Sequence, residues 1–132
     1  MPTILIVEDN PTNMKLSTFV LESGDYIVIT ATDAEIGLTL ARESHPDLIL
    51  MDIQLPGMDG LEATALLKAD NATRAIPVVA LTALAMKGDE ERIRAAGCDG
   101  YIAKPLAYKD FLAMVSARLG TPSPEGNLPP ER

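Results

Sequence analysis

Asp47-Leu48-Ile49-Leu50-Met51-Asp52 decides the fold. Four apolar residues lead straight into a carboxylate, and a turn-rich segment comes next, Ile53-Gln54-Leu55-Pro56-Gly57-Met58-Asp59-Gly60. A strand apolar on both faces belongs in the middle of a parallel sheet with helices on each side. Open α/β sheets bind ligands at the carboxyl edge of their strands, so Asp52 is expected at the mouth of a crevice. The strand alone also permits a plainer reading, in which Asp52 does no more than end it.

Outward from this strand, apolar runs alternate with helical patterns. Residues 4–7 read as a buried strand that stops at Glu8-Asp9-Asn10-Pro11. Asn10 or Thr12 can cap the next helix, with Pro11 tolerated in its first turn. Leu16, Phe19 and Val20 recur there at helical spacing, and Ser23-Gly24-Asp25 stops the helix. Residues 26–31 form a second strand. Asp33 or Thr32 caps a second helix, whose Ala34, Leu38 and Ala41 share a face and which ends before Pro46. A third helix runs from near Asp59 to about Ala69. Residues 77–81 are the fourth strand, ending at Thr82, and residues 87–96 a charged helix stopped by Gly97. Residues 101–103 make a short fifth strand ending at Lys104-Pro105. The last helix covers 108–119, with Phe111, Leu112, Val115 and Leu119 on one side. The pattern predicts an α/β fold, a doubly wound five-stranded parallel sheet in flavodoxin-like order, (βα)5. It occupies residues 1–119, and residues 120–132, with four prolines, read as a disordered tail.

Bulk properties narrow the function. A chain of 132 residues with 47% hydrophobic and 23% charged residues suits one globular domain. Residues 1–60 hold ten acidic and two basic side chains, a net −8, whereas residues 61–132 hold nine of each. That acidic half argues against direct nucleic-acid binding, which wants a basic patch, and suits a cation or a basic partner. No run is long enough to span a membrane and no secretory signal is visible. The single cysteine, Cys98, excludes an internal disulfide and agrees with a cytoplasmic location. Cys98 reads as a small packing residue, and His45, before Pro46, as an exposed loop residue.

The residues at the strand ends carry the chemistry. Glu8-Asp9 come directly after the first strand, Asp52 ends the third, Thr82 the fourth and Lys104 the fifth. In a parallel sheet these ends share one edge. Three carboxylates, a hydroxyl and an ammonium suit Mg²⁺, a hard cation that bridges to phosphate oxygens. A carboxylate beside it can attack phosphorus, with the metal and the lysine neutralising the phosphoryl oxygens. Singly, each has a plainer reading: Glu8-Asp9 as helix-start acids, Thr82 as a cap, Lys104-Pro105 as a turn. Together they are much more specific.

The chain closely resembles the receiver domains of two-component response regulators. The resemblance covers residues 3–119. It rests on Ile4-Leu5-Ile6-Val7-Glu8-Asp9-Asn10, Asp47-Leu48-Ile49-Leu50-Met51-Asp52, Leu55-Pro56-Gly57-Met58-Asp59-Gly60, Ala80-Leu81-Thr82-Ala83 and Lys104-Pro105. Ala85-Met86-Lys87-Gly88-Asp89-Glu90-Glu91-Arg92-Ile93-Arg94 with Gly97-Cys98 is similar to DivK-type single-domain receivers. The resemblance implies that Asp52 accepts a phosphoryl group from a phosphohistidine of a histidine kinase or histidine phosphotransfer protein. It implies Mg²⁺, with Mn²⁺ able to substitute, held by Asp9, Asp52, the Gln54 backbone carbonyl and, through water, Glu8. It implies that Thr82 and Lys104 hold the phosphoryl oxygens, that the Lys104–Pro105 peptide is cis, and that Tyr101 is an aromatic switch coupled to Thr82. The implied output is a changed affinity for a downstream protein through the face of helix 86–96, strand 101–103 and helix 108–119, as a monomer or a weak, phosphorylation-dependent dimer.

Two other classes of function compete. A receiver-fold adaptor could signal without phosphate, against which the intact Asp9, Asp52, Thr82 and Lys104 weigh. An aspartate-nucleophile phosphohydrolase would carry a second aspartate two residues after the nucleophile, where this chain has Gln54. The expectation is therefore self-phosphorylation from a donor, not conventional enzymatic turnover.

Overall fold

The central stretch is a strand buried along its whole length. In a computed structural model that describes residues 2–83, 87–104 and 108–119, Leu48–Asp52 forms β3, with all five residues buried. β3 is hydrogen-bonded on one side to β1 (Thr3–Val7) and on the other to β4 (Val78–Thr82). β2 (Ile27–Ala31) and β5 (Gly100–Ala103) complete a five-stranded sheet in the order β2-β1-β3-β4-β5, every pairing parallel. The helices α1 (Pro11–Ser23), α2 (Ala34–Ser44), α3 (Gly60–Ala69), α4 (Lys87–Ala95) and α5 (Tyr108–Leu119) alternate with the strands. The doubly wound (βα)5 architecture expected from the sequence is the one found.

Strand periodicity divides the core into two layers. Ile49 and Met51 join Leu5, Val7 and Val78 on one face, against Leu38 and Ala41 of α2 and Ala63 and Leu67 of α3. Leu48 and Leu50 join Ile4, Ile6, Val79 and Leu81 on the other, against Val20 and Leu21 of α1 and Phe111 and Val115 of α5. Each fully buried aliphatic side chain contributes about 1.5–3 kcal/mol, so the two layers set the register that brings the strand ends level.

The helix starts resolve the alternatives left open by the sequence. Asn10, not Thr12, caps α1 by accepting from the Asn13 amide at 3.0 Å. Asp33, not Thr32, caps α2, and Asp59 caps α3, each accepting at 2.8 Å from the amide three residues on. His45 closes α2 in the left-handed region (φ 48°) and is exposed, as expected.

Several expectations need correction. The inward stripe of α1 is Ser17, Val20 and Leu21, whereas Leu16 and Phe19 are 52% and 70% exposed. Residues 17, 20 and 21 share one face at spacings of three and four, and Leu16 and Phe19 fall on the neighbouring, outward side. β4 starts at Val78 rather than Pro77 and takes in Thr82 as its last residue, and Gly100 already belongs to β5. Tyr26 precedes β2 yet is buried. α4 stops at Ala95, one residue early. Cys98 is only partly buried, packed against the α2–α3 side of the core. The tail 120–132, residues 84–86 and Pro105, hence the Lys104–Pro105 peptide, lie outside the described residues. No described helix is long and apolar enough to cross a membrane.

Candidate functional site

Parallel strands bring their carboxyl ends to one edge, and backbone hydrogen bonds lock the segments that leave them. The Glu8 amide donates to the Ala31 carbonyl at 3.0 Å, that of Ile53 to Leu81 at 3.1 Å, and that of Lys104 to Thr82 at 2.7 Å. The departure from β3 is held by Gly60, whose amide donates to the Ile53 carbonyl at 2.9 Å. A Cβ there would run into the Asp52 carbonyl oxygen and lie 2.8 Å from the Ile53 Cα. Only glycine lets the start of α3 approach the strand end this closely.

Lys104 is the centre of the cluster. Its ammonium donates to Glu8 Oε1 at 3.0 Å and to Asp52 Oδ2 at 3.1 Å. The other oxygens of both carboxylates are also engaged: Asp52 Oδ1 accepts from the Gln54 amide at 3.0 Å and Glu8 Oε2 from the Asn10 amide at 3.2 Å. Glu8 is 1% exposed and Asp52 4%, so Glu8 is no solvated helix-start acid. Asp9 is exposed beside them, and Glu8, Asp9 and Asp52 each bring an oxygen within 4.8 Å of the others.

The electrostatics are set by burial and crowding. Burial, then the hydrogen bond and charge of Asp52, raise the Glu8 pKa against the opposing pull of Lys104. Burial alone would lower the Lys104 pKa, but the hydrogen bond to Glu8 and the charge of Asp52 more than offset it and raise it. One ammonium therefore serves two buried carboxylates, and a third stands open to solvent. An all-oxygen set with surplus negative charge and an exposed side fits a small hard dication.

Thr82 is buried at the end of β4. Tyr101 is partly buried on β5, opposite Ala80 in register. Residues 80 and 82 have the same parity, so Tyr101 lies on the face of the sheet that carries Thr82, one pleat back. The strand ends thus bring together Glu8, Asp9, Asp52 and Lys104, with Gln54 hydrogen-bonded to Asp52. Sequence reasoning missed a groove of about 220 Å³ beside this cluster, lined by Gln54, Thr82, Asp59, Asp89, Arg92 and Ile93. Its only advance signal was the Asp89/Arg92 spacing on a charged helix.

This fold with this acidic edge defines a class. The sequence matches the family model of the response regulator receiver domain over residues 4–116, and the chain belongs to that family. It is 52% identical over 118 residues to the polar-differentiation response regulator DivK of Brucella ovis, covering 89% of this chain and 96% of that protein. The receiver domain of the sensor histidine kinase PA1611 from Pseudomonas aeruginosa, with a magnesium ion coordinated in its active site cleft, superposes with a TM-score of 0.85 at 36% identity, covering 91% of this chain and 98% of that one. A CheY-like receiver domain protein from Methanospirillum hungatei gives 0.83 at 30%, covering 91% and 94%.

Proposed function

We propose that this chain is a phosphorylation switch of a two-component phosphorelay. Asp52 takes a phosphoryl group from a phosphohistidine on a histidine kinase or histidine phosphotransfer protein. The observation that carries the reading is the Lys104 ammonium held between buried Glu8 and Asp52, beside exposed Asp9. The Gln54 amide and Lys104 orient the Asp52 carboxylate from either side, leaving lone pairs for attack on phosphorus. As the bond forms, negative charge leaves Asp52 for the phosphoryl oxygens, and Lys104 can track it without leaving Glu8. Thr82 is the hydroxyl for a second phosphoryl oxygen. Its movement would carry the signal to Tyr101 on the same face.

Asp9 and Asp52 would ligate Mg²⁺ directly, with the Gln54 carbonyl and, through water, Glu8; Mn²⁺ would serve in its place. The bound ion would neutralise charge on the phosphoryl oxygens. The product is a switched protein rather than a released molecule, and its reader is a downstream protein docking on α4, β5 and α5. We place this in the cytoplasm, with the chain monomeric or dimerising weakly on phosphorylation, and with residues 1–119 as the receiver unit.

The test is intact mass after incubation with acetyl phosphate. Addition of one phosphoryl group that requires both Mg²⁺ and Asp52 is expected. Equal uptake by Asp52→Asn would overturn the assignment.

A further inference from the structure

The groove beside Asp52 has a charge arrangement that the switch reading does not use. Its walls include Thr82, the hydroxyl expected to meet a phosphoryl oxygen, and Gln54, whose amide is hydrogen-bonded to Asp52. Its rim carries two carboxylates, Asp59 and Asp89, and one cation, Arg92. Asp59 is committed to capping α3 through the Glu62 amide. Arg92 is paired with Asp89 at 2.9 Å, but its side chain is 63% exposed against 18% for Asp89. An exposed pair of this kind holds its partner weakly. A guanidinium fork also matches phosphate oxygens better than a single carboxylate oxygen. At about 220 Å³, with room for about seven waters, the groove admits a two-carbon acyl phosphate but not a protein helix.

We propose that this groove is a docking site for small acyl phosphates and that Arg92 is its positioning residue, turning from Asp89 to the donor's phosphoryl group as that group approaches Asp52. The inference rests on Asp52 being the acceptor. In the transfer, an Asp52 carboxylate oxygen bonds to phosphorus while the bond from phosphorus to the acyl oxygen breaks. The acid leaves with the electron pair as a carboxylate, and no proton need move. Without Arg92 the rim presents an unpaired Asp89, beside the capping carboxylate Asp59, to an anionic donor. Without the charge of Asp89, Arg92 is wholly available to it. The two substitutions should therefore act in opposite directions.

The experiment tracks phosphoryl uptake by intact mass across an acetyl phosphate series, at fixed Mg²⁺, on the full chain. Arg92→Ala should raise the half-saturating concentration about fivefold, the equivalent of one charge-assisted hydrogen bond at a solvated rim. Asp89→Asn should lower it, and Arg92→Lys should fall between wild type and Arg92→Ala. A parallel titration with acetonylphosphonate, which cannot transfer its phosphoryl group, reads binding alone through the amide resonances of Gln54 and Thr82, and should rank the proteins identically. An unchanged half-saturation in Arg92→Ala would overturn the proposal, as would both variants weakening binding together, the mark of a pair that only stabilises α4. Wild-type protein that fails to bind acetonylphosphonate would also overturn it. Failure of the acceptor reading shows separately, as phosphoryl uptake that survives Asp52→Asn.

Discussion

Lys104→Met tests whether the ammonium holds the site together. The substitution keeps most of the side-chain volume and removes the cation shared by Glu8 and Asp52, at 3.0 and 3.1 Å. Two buried carboxylates then face each other with oxygens no more than 4.8 Å apart. At an effective dielectric of about 20 their repulsion is about 3.5 kcal/mol. Removing one partner from a buried ion pair costs about 3–5 kcal/mol in general, so the two figures agree. For a domain of this size that is a fall in Tm of about 10–20 °C. The pH dependence has a definite sign. Loss of Lys104 removes the influences that lower the Glu8 pKa and leaves burial and Asp52 to raise it further above 4.5. The folded state then binds more protons than the unfolded one in that interval, and stability falls as pH rises through it. The deficit should be greatest above the raised Glu8 pKa, shrink as pH falls through it and Glu8 takes a proton, and be partly recovered by millimolar Mg²⁺. Chemical denaturation of both proteins at several pH values measures this. A deficit below about 1 kcal/mol at every pH, the range of an exposed pair, would mean that the two carboxylates do not depend on Lys104.

Packing and burial give three further expectations. Gly60→Ala should cost about 3 kcal/mol or more, because its Cβ meets the Asp52 backbone; a Tm within about 2 °C of wild type, less than 1 kcal/mol, would show that the strand end yields easily. Phe19→Ser should change stability by no more than about 0.5 kcal/mol, whereas Phe111→Ala, at a fully buried position, should cost about 3–5 kcal/mol; equal effects in thermal melts would contradict the assigned face of α1. Burial pushes the Cys98 thiol above its ordinary 9.0, so iodoacetamide should label it more slowly at pH 8 than it labels the unfolded chain. Equal rates would mean an open, unperturbed thiol.

Much of the fold could be read from residues 4–7, 48–51 and 78–81, because strands buried on both faces need unbroken apolar runs and few other elements do. The candidate site was legible for the same reason: Glu8, Asp9 and Asp52 come at the ends of such runs, Lys104 follows the short, partly buried edge strand β5, and parallel pairing then forces them to one edge. The face of α1 was not legible, because hydrophobicity favours Leu16 and Phe19 over Ser17, whereas the buried face is the one that includes Ser17, Val20 and Leu21. Nor could spacing show that Lys104 bridges Glu8 and Asp52 while Asp9 stays in solvent, since that turns on side-chain direction. The groove was hidden because it joins the start of α3 to the middle of α4, segments brought together only by tertiary packing.

Everything proposed for this edge depends on Asp52, among its several acidic groups, taking the phosphoryl group. Borohydride reduction of the acetyl phosphate-treated protein, then peptide sequencing, locates the acceptor, since reduction converts an aspartyl phosphate to homoserine. Homoserine at position 52 alone, dependent on Mg²⁺, is the predicted result. Homoserine at position 9 or 59, or none in a protein whose mass shows the phosphoryl group attached, would contradict it.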